Sequence, residues 1–138
     1  MNVCICSSFR FYDDVLAICG QLEATGIKCL RPIPSAYREK TKPTEFKKQF
    51  IQMADNDKQT LGGTMSRMHF ERIDAADVVY VYNPQGYVGN SVLTEIGYSF
   101  GRGKPIYSSE PIQDPLIAGL IDKIIPKAKL VDELKKIV

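Results

Sequence analysis

With 138 residues, 44% of them hydrophobic and 25% charged, the chain has the composition of one soluble domain, with apolar material for a real core and too little length for two. A formal charge of +2 is close to balance, whereas a duplex-binding surface needs a strong basic surplus, so a nucleic-acid polymer is excluded as a partner. No apolar run approaches the ~20 residues that span a bilayer, which excludes a membrane role.

The opening MNVCICSSFR has no positive n-region before its apolar run and no small-residue cleavage site, so a cytoplasmic location is expected. Within it, residues 2–6 read as a strand. The polar SSFR follows, then a helical pattern through Val15, Leu16, Cys19 and Leu22 that Thr25 and Gly26 end. Residues 27–30 read as a second strand closed by Pro32 and Pro34, and a strand–helix–strand unit of this kind makes parallel sheet. Pro43 and Thr44 open a predicted helix through Phe46, Phe50 and Met53. Arg38, Lys40, Lys42, Lys47 and Lys48 alternate there with Glu39 and Glu45, as on a solvated loop and helix face; a lid over an anionic ligand is the sharper alternative.

Gly62 and Gly63 are expected to break the chain before a second helical stripe of Met65, Met68, Ile73 and Ala76. That stripe runs into residues 77–82, a β-branched and aromatic strand expected at the sheet centre. After the glycine-containing loop 83–89, the stretch GNSVLTEIGYSF predicts a helix with Leu93, Ile96, Gly97 and Phe100 on one apolar stripe, ended by Gly101 and Gly103. Residues 104–108 and 123–126 read as further strands, and 117–121 and 130–138 as helices. The alternation predicts an α/β chain: a single domain, 1–138, with a three-layer α/β/α, flavodoxin- or Rossmann-like open parallel sheet of five strands.

In such sheets ligands bind at the carboxyl ends of strands. Here those ends are residues 7–10, 83–91 and 108–111. Ser7, Ser8, Phe9 and Arg10 supply hydroxyls and a guanidinium for one phosphate or carboxylate, without forming a Walker loop or GxGxxG, and no cofactor is expected. Asn83, Gly89, Asn90 and Ser91 form the second candidate edge, with Asn90 or Ser91 as N-cap of the helix that carries Glu95. Glu95 falls off the apolar stripe. It is either a surface acid favoured by the helix dipole or a carboxylate facing the cleft, where Gly97 lets the helix approach sheet or ligand closely.

A carboxylate at such a mouth can attack an electrophilic sugar carbon and form a covalent ester. A second polar group must then manage the leaving group, and Asp77 and Asp74 are nearest in the chain. Asp74 is expected to face solvent, and Asp77 serves equally well as a helix-to-strand turn former. His69, the only histidine, reads as a hydrogen-bonded, half-buried residue rather than a catalyst. Cys4 and Cys6 point to one face of a strand, but no second Cys/His pair completes a zinc set. Cys4, Cys6, Cys19 and Cys29 are all taken as small buried hydrophobes, with neither a metal nor a disulfide expected.

The run ADVVYVYNPQGYVGNSVLTEIGYSFGRGKPIY resembles the core of the nucleoside 2-deoxyribosyltransferase-like superfamily. The matching residues are Ala76-Asp77, Glu95-Ile96-Gly97-Tyr98-Ser99 and Gly103-Lys104-Pro105. Cys6-Ser7-Ser8-Phe9-Arg10 is similar to the Gly-Ser-Ile-Arg stretch of its 2′-deoxynucleoside 5′-phosphate N-hydrolase branch. The resemblance implies that Glu95 is the nucleophile on C1′ of the sugar and that Asp77 helps bind or protonate the leaving base. It also implies that Ser8 and Arg10 hold the sugar or phosphate, that the ligand is a small nucleoside or nucleotide, and that the protein is a homo-oligomer. Gly89, followed by Asn90, stands where the transferase pattern has an Asp, and Ser91 where the hydrolase branch often has a Gly. A nucleotide-binding or sensing module using the same cleft without turnover is the alternative.

Overall fold

The computed structural model describes residues 1–32, 48 and 51–137. Strands β1 (Asn2–Cys6), β2 (Lys28–Leu30), β3 (Val78–Val81), β4 (Ile106–Ser108) and β5 (Lys123–Ile124) form one sheet in the order β2-β1-β3-β4-β5. Every neighbouring pair is parallel, with Cys6 opposite Val81 at one end of the central pair and Val3 opposite Val78 near the other. Because β1 is flanked by β2 on one side and β3 on the other, the strand order reverses between β1 and β3, the position where such sheets open a ligand crevice.

Strand alternation divides the core into two layers. Val3, Ile5, Val78 and Tyr80 face α1 (Tyr12–Glu23) and α5 (Leu130–Lys135), packing with Val15, Cys19, Leu22, Leu130 and Leu134. Cys4, Cys6, Val79 and Val81 face the opposite layer, with Ile73 of α2 (Asp55–Ala75) and Val92 and Ile96 of α3 (Asn90–Gly101). Phe70 of α2 stacks on Tyr98 of α3 with ring centroids 4.4 Å apart, which fixes these two helices against each other. The short α4 (Pro115–Ala118) is capped by Asp114, whose carboxylate accepts the Leu116 N–H at 2.9 Å. The three-layer α/β/α architecture expected from the alternation is the one observed.

Three expectations are corrected. Gly62 and Gly63 do not break the chain: α2 runs through both, since the missing side chains cost helix propensity without removing a backbone hydrogen bond. Cys19 and Cys29 are joined by a disulfide, their Cα atoms 5.4 Å apart, because α1 packs directly on the strand that follows it. The helix expected at 117–121 instead spans Pro115–Ala118, because Asp114 and Pro115 supply an earlier cap and first turn and Gly119 ends it. The helix expected from Thr44 and the basic cluster lie outside the described residues, apart from an exposed, helical Lys48 and the chain from Ile51 onward.

Candidate active site

The buried face of α3 consists of Val92, Ile96 and Ser99, and Glu95, only 14% exposed, lies on the same face. These positions follow i, i+3, i+4, i+7. Glu95 is therefore on the stripe that meets the sheet, and the stripe expected from hydropathy is rotated away: Leu93 is half-buried and Phe100 is 57% exposed. Gly97 faces open space, where an added Cβ would meet nothing within 4 Å, so it makes no room for a close approach. Ser99 is accepted inside because its hydroxyl donates to the Glu95 carbonyl at 2.7 Å, which satisfies the one polar atom it buries.

On this face the Glu95 carboxylate meets His69 of α2, with Oε2 3.5 Å from Nε2. The same Nε2 lies 3.3 Å from Cys6 Sγ and 3.7 Å from Cys4 Sγ. The two thiols project side by side because they are two residues apart on β1. Among the described residues, Glu95 Oε2 and His69 Nδ1 are buried without a hydrogen-bond partner.

Burial pushes Glu95 up to about 7, against the pull of the nearby imidazole. Burial alone would depress His69, but its hydrogen bond with Cys4 and the Glu95 charge outweigh burial, and the net direction is upward. Hydrogen bonding from Cys6 brings Cys4 down to about 6 despite burial, while the same bond and burial raise Cys6. Of the two thiols, Cys4 is therefore the more readily ionised.

Glu95 and His69 form the floor of a cleft of about 350 Å³ at the carboxyl ends of β1 and β3. Ser7, Ser8 and Phe9 line one wall, Gly89, Asn90, Ser91 and Val92 the other, and Gly62, Met65 and Ser66 close it from α2. Gly89, not Asn90 or Ser91, is the N-cap of α3, and no side chain caps that end. The free N–H groups of its first turn thus remain available to an anion. Ser7 donates its hydroxyl to the Tyr82 carbonyl at 2.8 Å, which holds the β1 loop against the end of β3.

Two other predicted site residues lie elsewhere. Asn83 is fully buried, and its amide is consumed by the loop after β4: Nδ2 donates to the Glu110 carbonyl, and Oδ1 accepts from Ser109 Oγ and the Glu110 N–H. Arg10 turns out of the cleft and stacks on Tyr87, its guanidinium carbon 4.0 Å from the ring centre and Nη2 3.3 Å from the hydroxyl. Asn83 is thus a structural residue, and Arg10 belongs to a neighbouring groove.

Asp77 is not brought to Glu95 either. It is exposed at the amino end of β3, where Oδ2 accepts the Asn2 N–H at 2.8 Å. Four residues of strand, roughly 13 Å, separate it from Val81 at the cleft end. Asp77 is therefore a clamp on the start of β1, and Glu95 is the only carboxylate lining the cleft among the described residues. Asp74 accepts from Tyr98 Oη at 2.8 Å and Arg102 Nε at 2.7 Å on the same far side. The sequence reads Cys4 and Cys6 as buried hydrophobes and His69 as a hydrogen-bonded, half-buried residue; the signal that could join them is the same-face spacing of the thiols and the place of His69 four residues before Ile73.

No protein-family model matches the sequence, and no curated protein matches it. Strand order and helix placement are those of a flavodoxin-like doubly wound α/β fold, and the solved structures that share it with this chain include a CMP N-glycosidase and a 2-deoxyribosyltransferase. Among solved structures it is similar to CMP N-glycosidase BcmB from Clostridium botulinum, at 14% identity and TM-score 0.59 over 99% of both chains. A conserved protein from Enterococcus faecalis V583 superimposes with TM-score 0.62 at 15% identity, over 100% of this chain and 99% of that one. A 2-deoxyribosyltransferase from Bacillus psychrosaccharolyticus gives 0.59 at 12%, over 96% and 91%. At these identities the likeness is one of fold.

Proposed function

We propose that this chain cleaves the N-glycosidic bond of a nucleoside or its 5′-monophosphate, with Glu95 as the nucleophile. The observation that carries the reading is the position of Glu95: a largely buried carboxylate, its Oε2 without a hydrogen-bond partner among the described residues, on the floor of a cleft at the switch point. Two of the similar solved structures are a CMP N-glycosidase and a 2-deoxyribosyltransferase, which supports the same class of bond.

In this scheme a Glu95 oxygen forms a bond to C1′ as the C1′–N bond breaks, and the electron pair leaves with the base, which takes up a proton. Water then attacks C1′ as the C1′–O bond to Glu95 breaks, the electron pair returning to the carboxylate and the proton of the water passing to solvent. The uncapped start of α3, with Ser8, Asn90 and Ser91, holds the sugar or phosphate. Asp77 has no part in the scheme, because the strand length that separates it from the cleft leaves it out of reach of the base. Gly89 in the place of the transferase Asp leaves water as the favoured acceptor.

A second reading, a nucleotide-binding module without turnover, is favoured by one observation: no second carboxylate lines the cleft among the described residues to protonate the base. Base release from nucleosides, deoxynucleosides and their monophosphates, with and without an acceptor base, separates the two. Release by the wild type and its loss in Glu95→Gln supports the enzyme. Thermal stabilisation by a nucleotide with no base released by either protein supports the module.

A further inference from the structure

Three electron-rich atoms surround one ring nitrogen on the floor of the cleft. Cys6 Sγ, Glu95 Oε2 and Cys4 Sγ stand 3.3, 3.5 and 3.7 Å from His69 Nε2. The ring N–H and the Cys6 thiol, which hydrogen-bonds Cys4 and Glu95, supply too few donors for all of their lone pairs. The two sulfurs and the nitrogen all lie within 4.8 Å of one another and are buried, so water does not serve the remaining lone pairs as it would at a surface.

The three separations from Nε2 match edges of a tetrahedral metal shell. Zinc–sulfur bonds of ~2.3 Å and zinc–nitrogen bonds of ~2.05 Å at tetrahedral angles place sulfur about 3.6 Å from nitrogen. The observed values of 3.3 and 3.7 Å bracket that edge. A carboxylate oxygen at ~2.1 Å from the metal stands about 3.4 Å from the nitrogen, and Glu95 is at 3.5 Å. The donors also match in kind, since two thiols and an imidazole suit a borderline-soft cation, and the open cleft above His69 and Glu95 supplies the entry path.

We propose that Cys4 Sγ, Cys6 Sγ and His69 Nε2 bind one zinc ion and that the Glu95 carboxylate, beside His69, turns in to complete its shell. Ligation displaces the protons of the thiols to solvent and ties the Glu95 carboxylate to the metal. Zinc occupancy and attack by Glu95 on a sugar therefore exclude each other. The binding itself stands on the two sulfurs and the nitrogen and does not depend on the glycosidic reading.

The test is titration of the reduced full-length chain with Co²⁺ alone, followed by Zn²⁺ as competitor. One equivalent of Co²⁺ is expected to give a thiolate-to-metal charge-transfer band and tetrahedral visible bands, both lost on adding Zn²⁺. Cys4→Ser and Cys6→Ser, near-isosteric and checked for folding by circular dichroism, each weaken binding at least ~100-fold, and Glu95→Gln weakens it ~10-fold. Absence of the band in the folded wild type, or its persistence in the Cys4→Ser/Cys6→Ser double variant, overturns the site. Base release is measured separately in chelator: release there without metal binding sinks this proposal alone, and metal binding without release sinks only the glycosidic reading.

Discussion

The two ends of the sheet are built on opposite plans. At the amino end every charged group of the cluster has a partner: Asp77 holds the Asn2 N–H, Asp74 holds Tyr98 and Arg102, and Lys104 donates to the Asp74 and Ala76 carbonyls at 3.0 and 2.9 Å. At the carboxyl end Glu95 and His69 are buried with polar atoms left over. An end whose groups are all satisfied adds stability and has nothing to offer a ligand. An end that withholds partners from a buried acid gives up stability, and that is where chemistry is expected.

The sharpest way to test this contrast is Glu95→Gln, which is expected to abolish base release by on the order of 10³-fold or more while the variant folds normally. Equal turnover in variant and wild type would place the chemistry elsewhere.

Next in size is a pH effect in chelator-treated protein. Glu95 is raised from 4.5 to about 7, so its burial costs nothing below pH 4.5, where it is protonated folded and unfolded. The cost grows as pH rises to about 7. The unfolding free energy of wild type relative to Glu95→Gln, measured with urea, should therefore fall across that window by on the order of 3 kcal/mol. Base release should rise over its upper part, because the nucleophile must be ionised. A flat stability difference would mean that the carboxylate sits in water.

At the other end, Asp77→Ala is expected to cost about 1 kcal/mol, a melting shift of ~4 °C, with turnover unchanged. A loss of turnover beyond the loss of folded protein would return Asp77 to the reaction. Smallest of all is Asp74→Asn. Tyr98, then Arg102, holds the Asp74 carboxyl below its ordinary value, so its contribution is present above pH 3.8 and is lost as pH falls. The variant should melt slightly lower than wild type at neutral pH and together with it in acid, the opposite sign to Glu95.

The segments that carry the resemblance, from Ala76-Asp77 to Gly103-Lys104-Pro105, span both ends, and this explains which parts of them are legible in the sequence. β1 and β3 were legible because their apolar runs are short, nearly continuous and bounded by polar loop residues, as in a strand buried on both faces. Glu95 was legible as a candidate from the same motif, but its face was not: Val92 and Ser99 point inward, and Ser99 does so only because its hydroxyl bonds one turn back. Asp77 looked like a partner through its place in the motif, yet position along a strand decides which end of the sheet a residue serves. His69 lies 63 residues from Cys6, and no local spacing could bring them together. The disulfide between Cys19 and Cys29 was missed for a related reason, since it follows from how α1 packs on β2.

The unbroken passage of α2 through Gly62 and Gly63 has a kinetic consequence. Each glycine costs the helix about 1 kcal/mol relative to alanine. The turns before them bury no side chain, and the first buried residue of the helix is His69. Amide hydrogens ahead of Gly62 should therefore exchange with solvent much faster than those from His69 to Ala75, whose opening requires the sheet contact of Ile73 to be lost. Fraying of this front half would unroof the cleft, which Gly62 and Met65 help to line, while the cluster of His69 and the two cysteines stays assembled.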